Sequence, residues 1–350
     1  MRTQELTFKL PPSLFARRPR ELSGQRRDEA RMLVIDKRDG QIAHDMFRNL
    51  PNYMRPGDVL VLNNSGVIPA VIRSWRGDGG QVEVRLISNK HGGIWHAVLT
   101  PSVAISLGTI LFMTPHLTAT VIDKRQDILN GWVLQFLVDG QPIDSDNEMF
   151  AAIEKIGRPV ISMYTDKVWE LDYYQNVYSS VPGSCEAPTA GRHFTNELLN
   201  DIRSLGVQVV FLTLHIGLSS VLIREENVED HKMLEEEFII PPETADIINQ
   251  ARSHGHRVFA TGTTVVRSLE SAVGADGVIH PQHRWTTLYI SPGYTFHICD
   301  AIITNFHGPI SSRLALAAAF VGWPIIKKAY SEAIRAGYQF YEFGDVTLMI

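Results

Sequence analysis

The hydrophobic pattern changes period along the chain. DVLVL at 58–62 is a short apolar strand that runs into the turn-rich NNSGVIP. Between about residues 70 and 140, VEVRLIS, IWHAVLT, TILFM, LTATVI and GWVLQFLV follow one another, separated by Gly, Asn, Pro and Asp. Short β-branched and aromatic runs in that rhythm predict an antiparallel, barrel-like β unit. Beyond residue 148 the period lengthens, predicting helices over 148–156, 195–205 (capped by Thr195), 243–254, 263–273, 312–321 and 324–336. Strands are expected between them at 207–215, 257–261, 286–291 and 301–304. The alternation predicts a mixed α/β fold with helices packed on a sheet. Its larger domain is built from residues 1–68 and 148–350, and a smaller β-barrel-like domain is inserted at 69–147.

A length of 350 residues fits about two domains. The net charge of −5 argues against a uniformly basic nucleic-acid binder but leaves local patches open. One patch stands out: RRPRELSGQRRDEAR at 17–31 carries six arginines against Glu21, Asp28 and Glu29. It reads either as a solvated loop or as a docking strip for phosphates, with Arg17, Arg18, Arg27 and Arg31 as the nucleic-acid-binding candidates. Two cysteines, Cys185 and Cys299, imply no disulfide framework. With no signal-like or membrane-length apolar run, a cytoplasmic protein is expected, as a monomer.

Four segments could carry chemistry. ATGTTVVRSLES at 260–271 reads as a strand ending at Gly262 and a helix starting on Thr263 and Thr264. Val266, Leu269 and Val273 form its buried stripe, which leaves Thr263, Arg267 and Glu270 on the other side. A helix mouth suits a carboxylate or another oxygen-rich group, and no phosphate-loop glycine pattern is present. GSCEAPTAGRHFT at 183–195 is a rigid loop that brings Thr189, Gly191 and His193 to the next helix. LTLHIGL delivers His215 from a strand end, and EDHKMLEEEF, containing His231, reads as a solvated acidic helix face rather than a metal site. Finally, TNFHGPISS at 304–312 places Asn305 and His307 after a strand, where α/β ligand sites form. Arg313 in the following first helical turn opposes the helix dipole and asks for an anionic neighbour.

Taken together, LPPSLFARRP, RPGDVLVLNNSGVIPA, GSCEAPTAGRHFT, EDHKM, ATGTTVVRSLES, the run through TNFHGPIS and the terminal YEFGDVTLMI resemble the S-adenosylmethionine:tRNA ribosyltransferase-isomerase family, nearly end to end. The resemblance implies a transfer of the ribosyl unit of S-adenosylmethionine to 7-aminomethyl-7-deazaguanine in tRNA. Adenine and methionine leave and the ribose is rebuilt as an epoxycyclopentanediol, with no metal or redox cofactor. It implies donor contacts from Thr189, Gly191, Gly262, Thr263, Thr264, Arg267, Glu270 and Asn305. Proton transfer falls to His193 or His307, ahead of His215 and His231.

The chain also departs from the family pattern. Gly66 and Val71 stand where arginines are usual, Ser219-Ser220-Val221 replaces GTF, and Leu234 replaces a histidine. Gly308 replaces Leu, Ile310 replaces Lys, and Arg192 is new. The resemblance implies that the lost cations face the acceptor side. Two alternatives therefore stay open at this point: an enzyme using the same donor on another acceptor, and a non-catalytic binding protein.

Overall fold

The computed structural model describes residues 1–162, 164–218 and 222–350, so the Ser219–Val221 departure lies outside the described residues. Two large sheets organise the chain. The first has nine strands in the order 282–286, 236–240, 208–214, 59–63, 258–261, 301–305, 346–349, 31–35 and 42–46. Its centre, from 208–214 through 301–305, is parallel, whereas 346–349 runs antiparallel to 301–305. Val59-Leu60-Val61-Leu62 is apolar throughout because both faces of that strand are covered. Val59 and Val61 join one apolar cluster, and Leu60 and Leu62 the other.

Among the described residues there are six α-helices: α1 (Asp146–Glu154), α2 (Asn196–Ser204), α3 (Pro242–Ser253), α4 (Thr263–Ala272), α5 (Ser312–Val321) and α6 (Trp323–Arg335). Ile248 of α3, Leu269 of α4, Leu316 of α5 and Ala329 of α6 pack on the first face of the sheet. Leu198, Leu199 and Ile202 of α2 cover the second. Thr195 and Ser311 cap α2 and α5 by accepting from the third amide on.

In the second sheet, strands 71–76, 81–89, 94–100, 110–112, 117–125 and 131–138 close into a six-stranded antiparallel barrel through pairing of the last two. Closure removes the sheet edges, and Trp95, Leu134 and Phe136 fill the interior. Met149 and Ile153 of α1 join that core, and Gly157–Arg158 adds a short pairing to the 71–76 strand.

Two expectations are corrected. The acidic run after His231 is not a solvated helix face, since Glu236–Ile240 is a strand with both Glu236 and Glu237 buried. Each of those carboxylates has a cationic or imidazole partner, so the charge is tolerated inside. The strand expected at 286–291 lies instead at 282–286, because its register is set by that unforeseen neighbour, Glu236 opposite Thr286.

Candidate active site

A cavity of about 970 Å³ opens where the parallel strands end, with Thr261 and Asn305 on its floor. Arg85 and Asp127–Leu129 of the barrel line it too, so the cleft lies between the barrel and the main sheet. Gly262, Thr263 and Thr264 present the mouth of α4 to it. Gly262 has φ 88°, a conformation glycine adopts without strain, and no side chain caps the helix. The threonines therefore do not cap it as expected, and the positive end of the helix faces the cleft bare.

Arg267 and Glu270 do not look out from α4 as a surface pair. Both are buried. Arg267, whose side chain reaches the cleft wall, is ion-paired with Glu236 and donates to the Leu288 carbonyl at 2.8 Å. Glu270 turns away from the cleft and accepts the backbone amides of His297, Ile298 and Cys299 at 2.9, 3.0 and 3.1 Å. It fixes a loop and is out of reach of a cavity ligand.

The four histidines separate cleanly. His307 and His231 line the cleft, whereas His193 and His215 do not. His307 shares a 3.0 Å hydrogen bond with Thr304 Oγ1, and burial, helped by the Arg313 charge, pushes its pKa down to about 3. It is a neutral hydrogen-bonding group near neutral pH. His231 meets Glu225 at 3.0 Å and packs against the Tyr289 ring. His193 lies behind the floor, held well below its ordinary pKa by burial and by Arg20 and Arg192. Asn305 Nδ2 donates to it at 3.3 Å, and Thr189 Oγ1 donates to Asn305 Oδ1 at 3.0 Å. His193 thus orients Asn305 from outside the cavity. His215 bonds Ser65 at 2.7 Å, and Gly191 packs on Tyr178 and Asn176; both stand behind the wall.

Several cleft residues escaped the sequence reading. Thr261, Tyr289 and Glu342 line the cavity, and one oxygen of each, Thr261 Oγ1, Tyr289 Oη and Glu342 Oε2, is buried without a hydrogen-bond partner. Such atoms are rare in folded chains, and three of them belong to residues that line this cavity. Glu186 bridges Arg85 at 2.8 Å and Arg313 at 3.5 Å, which supplies the anion that Arg313 asked for. The Tyr341 and Tyr164 rings stack at 3.5 Å on the same wall. The positive φ of Tyr341, 74°, is the one local signal of something unusual there, and it is invisible in sequence. Outside the cleft, His91, Glu237 and His283 bring ligand-type atoms within 4.8 Å of one another.

The queuosine biosynthesis protein family matches residues 3–349. The chain belongs to that family. It is 40% identical to the S-adenosylmethionine:tRNA ribosyltransferase-isomerase of Caldanaerobacter subterraneus subsp. tengcongensis and 39% identical to that of Moorella thermoacetica, each over 100% of both chains. Among solved structures it is similar to the S-adenosylmethionine tRNA ribosyltransferase of Thermotoga maritima, at 30% identity and a TM-score of 0.55, covering 99% of this chain and 100% of that one.

Against the family pattern, the departures take a physical form. A Cβ at Gly308 would lie 2.7 Å from Tyr341 Oη, so the missing leucine makes room for the stacked tyrosines. Ile310 adopts φ 54°, Leu234 lines the cleft, and Gly66 pairs with Pro182. Val71 is buried in the barrel wall. Arg192 is no replacement phosphate contact, being buried against Glu21 at 2.9 Å and the Phe343 ring. Within the arginine strip, Arg27 is spent on Glu21 and the Gln175 carbonyl, and Arg31 on the Ala336 carbonyl and the Tyr338 ring. Arg17 and Arg18 remain exposed.

Proposed function

We propose that this cleft is the donor pocket of an S-adenosylmethionine:tRNA ribosyltransferase-isomerase, with 7-aminomethyl-7-deazaguanine in tRNA as acceptor. The observation that carries the reading is the bare mouth of α4 opening into a large cavity at the ends of the parallel strands, in a chain related end to end to enzymes of that name. The amides at Gly262–Thr264 receive the methionine carboxylate, as helix mouths receive anions. Arg267, already neutralised by Glu236, holds the wall rather than the carboxylate. Thr189, Asn305, Thr261 and Tyr289 offer hydrogen bonds to the ribose and the purine, and His307 adds another as a neutral ring.

Chemically, the sulfonium acidifies the adjacent 5′ C–H, and loss of that proton starts adenine expulsion and ring opening. The acceptor amine then attacks the opened sugar, and methionine departs as the epoxide closes. A volume of about 970 Å³ is at the upper end of small-molecule pockets, leaving room for the acceptor base beside the donor. The stacked Tyr341 and Tyr164 offer a flat face to that base. Arg17 and Arg18, exposed on the strip, meet tRNA phosphates. Residues 1–68 and 148–350 form the catalytic domain and 69–147 the inserted one, and the enzyme works as a cytoplasmic monomer. In support of that location, among the described residues no helix is long and apolar enough to cross a membrane.

The test is to incubate the chain with S-adenosylmethionine, with and without tRNA bearing the aminomethyl base, and to measure adenine and methionine. Release that requires the tRNA is expected. Turnover without tRNA would point to another acceptor, and binding without any release to a non-catalytic role.

A further inference from the structure

The donor-pocket reading needs a proton acceptor; of the two histidines that line the cleft, His231 is engaged by the Glu225 carboxylate at 3.0 Å and His307 by Thr304 Oγ1 at 3.0 Å. His193 is outside the cavity, and burial holds His307 neutral as so weak a base that it accepts a proton only in acid. We propose that the carboxylate of Glu342 takes the 5′ proton of bound S-adenosylmethionine. The inference rests on the donor-pocket reading above.

Three features of position support it. Glu342 is partly exposed and lines the cleft, and its Oε2 accepts no hydrogen bond. The backbone beside it is pinned: the Tyr341 amide donates to the Phe306 carbonyl at 3.1 Å, and Asn305 Nδ2 donates to the Tyr341 carbonyl at 3.3 Å. Tyr341, held at φ 74° and stacked on Tyr164, cannot relax without breaking those contacts. Strain kept at a ligand wall in this way is characteristic of preorganised sites. The same chain of hydrogen bonds links the Tyr341 carbonyl, one residue before Glu342, to Asn305, Thr189 and His193, three of the positions marked by sequence.

Environment then tunes the group. Burial, and after it the nearby Glu186 carboxylate, raise the Glu342 pKa to about 7, against the opposing pull of Ser162, Arg313 and Arg192. A base balanced near the working pH is both substantially ionised and strong enough to remove a proton. Glu186, bridged to Arg85 and Arg313, serves as the fixed charge that raises its neighbour. In the step itself the 5′ C–H bond breaks, the proton moves to the Glu342 carboxylate, and the electron pair stays on carbon beside the positive sulfur. No oxidant or reductant is involved.

The experiment uses the full chain as wild type, Glu342→Gln and Glu342→Asp. Donor binding is followed by calorimetry, and tRNA-dependent adenine release across a range of pH. The Gln variant should bind S-adenosylmethionine within about threefold of wild type while releasing adenine on the order of 10²–10⁴ times more slowly, the usual contribution of a general base. Wild-type release should rise with pH along a limb centred near the Glu342 pKa, and the Asp variant should keep part of the rate with that limb displaced. Adenine release by the Gln variant within about fivefold of wild type would overturn the assignment. So would loss of donor binding in that variant, or an unmoved limb in the Asp variant. Failure of wild type itself to bind S-adenosylmethionine would instead remove the donor-pocket reading.

Discussion

At the scale of single residues, the same side chain has two meanings depending on what faces it. Arg267 at i+4 from Thr263 reads in sequence as an outward clamp for a carboxylate, and in the fold a carboxylate does meet it, but that carboxylate is Glu236. Removing one partner of a buried ion pair strands the other charge. Arg267→Ala should therefore cost about 3–5 kcal/mol of stability in denaturant titrations, with Arg267→Met/Glu236→Gln recovering most of it. A variant that loses donor affinity at unchanged stability would return Arg267 to the role of a direct clamp. Glu342 is the converse case. It sits in the terminal YEFGDVTLMI, where nothing in spacing or composition marks it, and its chemistry comes from a buried wall and a second carboxylate.

Elements were legible wherever their pattern was self-contained. The helices α2, α3, α4 and α5 fall close to their expected bounds because apolar stripe and flanking breakers are local, with side-chain caps adding to this at α2 and α5. The barrel strands were legible for the same reason, since alternation and turn residues repeat within each hairpin. LEEEF was misread because its charges are satisfied by distant elements: Arg267 on α4, and His91 and His283 on neighbouring structure. That contact has a pH dependence of its own. Partial burial of His91 works against its charge, but hydrogen bonds to Asp146 and Glu237 outweigh it and raise the pKa above the usual histidine value. A raised histidine stabilises fully below its unfolded pKa, about 6.5, and the gain is lost as pH rises through the higher folded value. Because His91 is half exposed, solvent screening limits the gain to under about 1 kcal/mol. The stability difference between wild type and His91→Gln should shrink from pH 5.5 to 8.5 (about one unit below to two above the unfolded value); a difference that grows would contradict it.

For the whole molecule, burial of imidazoles makes acid the weak side. His96, His193, His215 and His307 all have lowered pKa values, each chiefly through burial. Below about pH 6.5 the unfolded chain takes up protons that these native histidines refuse, so stability falls as pH falls. Glu342 and His91, both raised, act in the opposite direction, but they are two against four. Urea unfolding at pH 5 should show a loss on the order of 2–4 kcal/mol relative to pH 7, and His193→Gln should flatten that dependence. An unchanged or rising stability would mean that the buried histidines do not control the acid limb.

Sequence by itself determined the class of fold, the barrel, most helices, the helix mouth at Gly262 and the family, because each is written in local period, caps and contiguous motifs. Tertiary structure alone decided which of the polar residues share a cavity. It set His193 behind Asn305 and turned Glu270 inward, and it left Glu342 with an uncommitted oxygen. Proton affinity and pairing depend on desolvation and on charges a few ångströms away, and those neighbours come from segments remote in the chain.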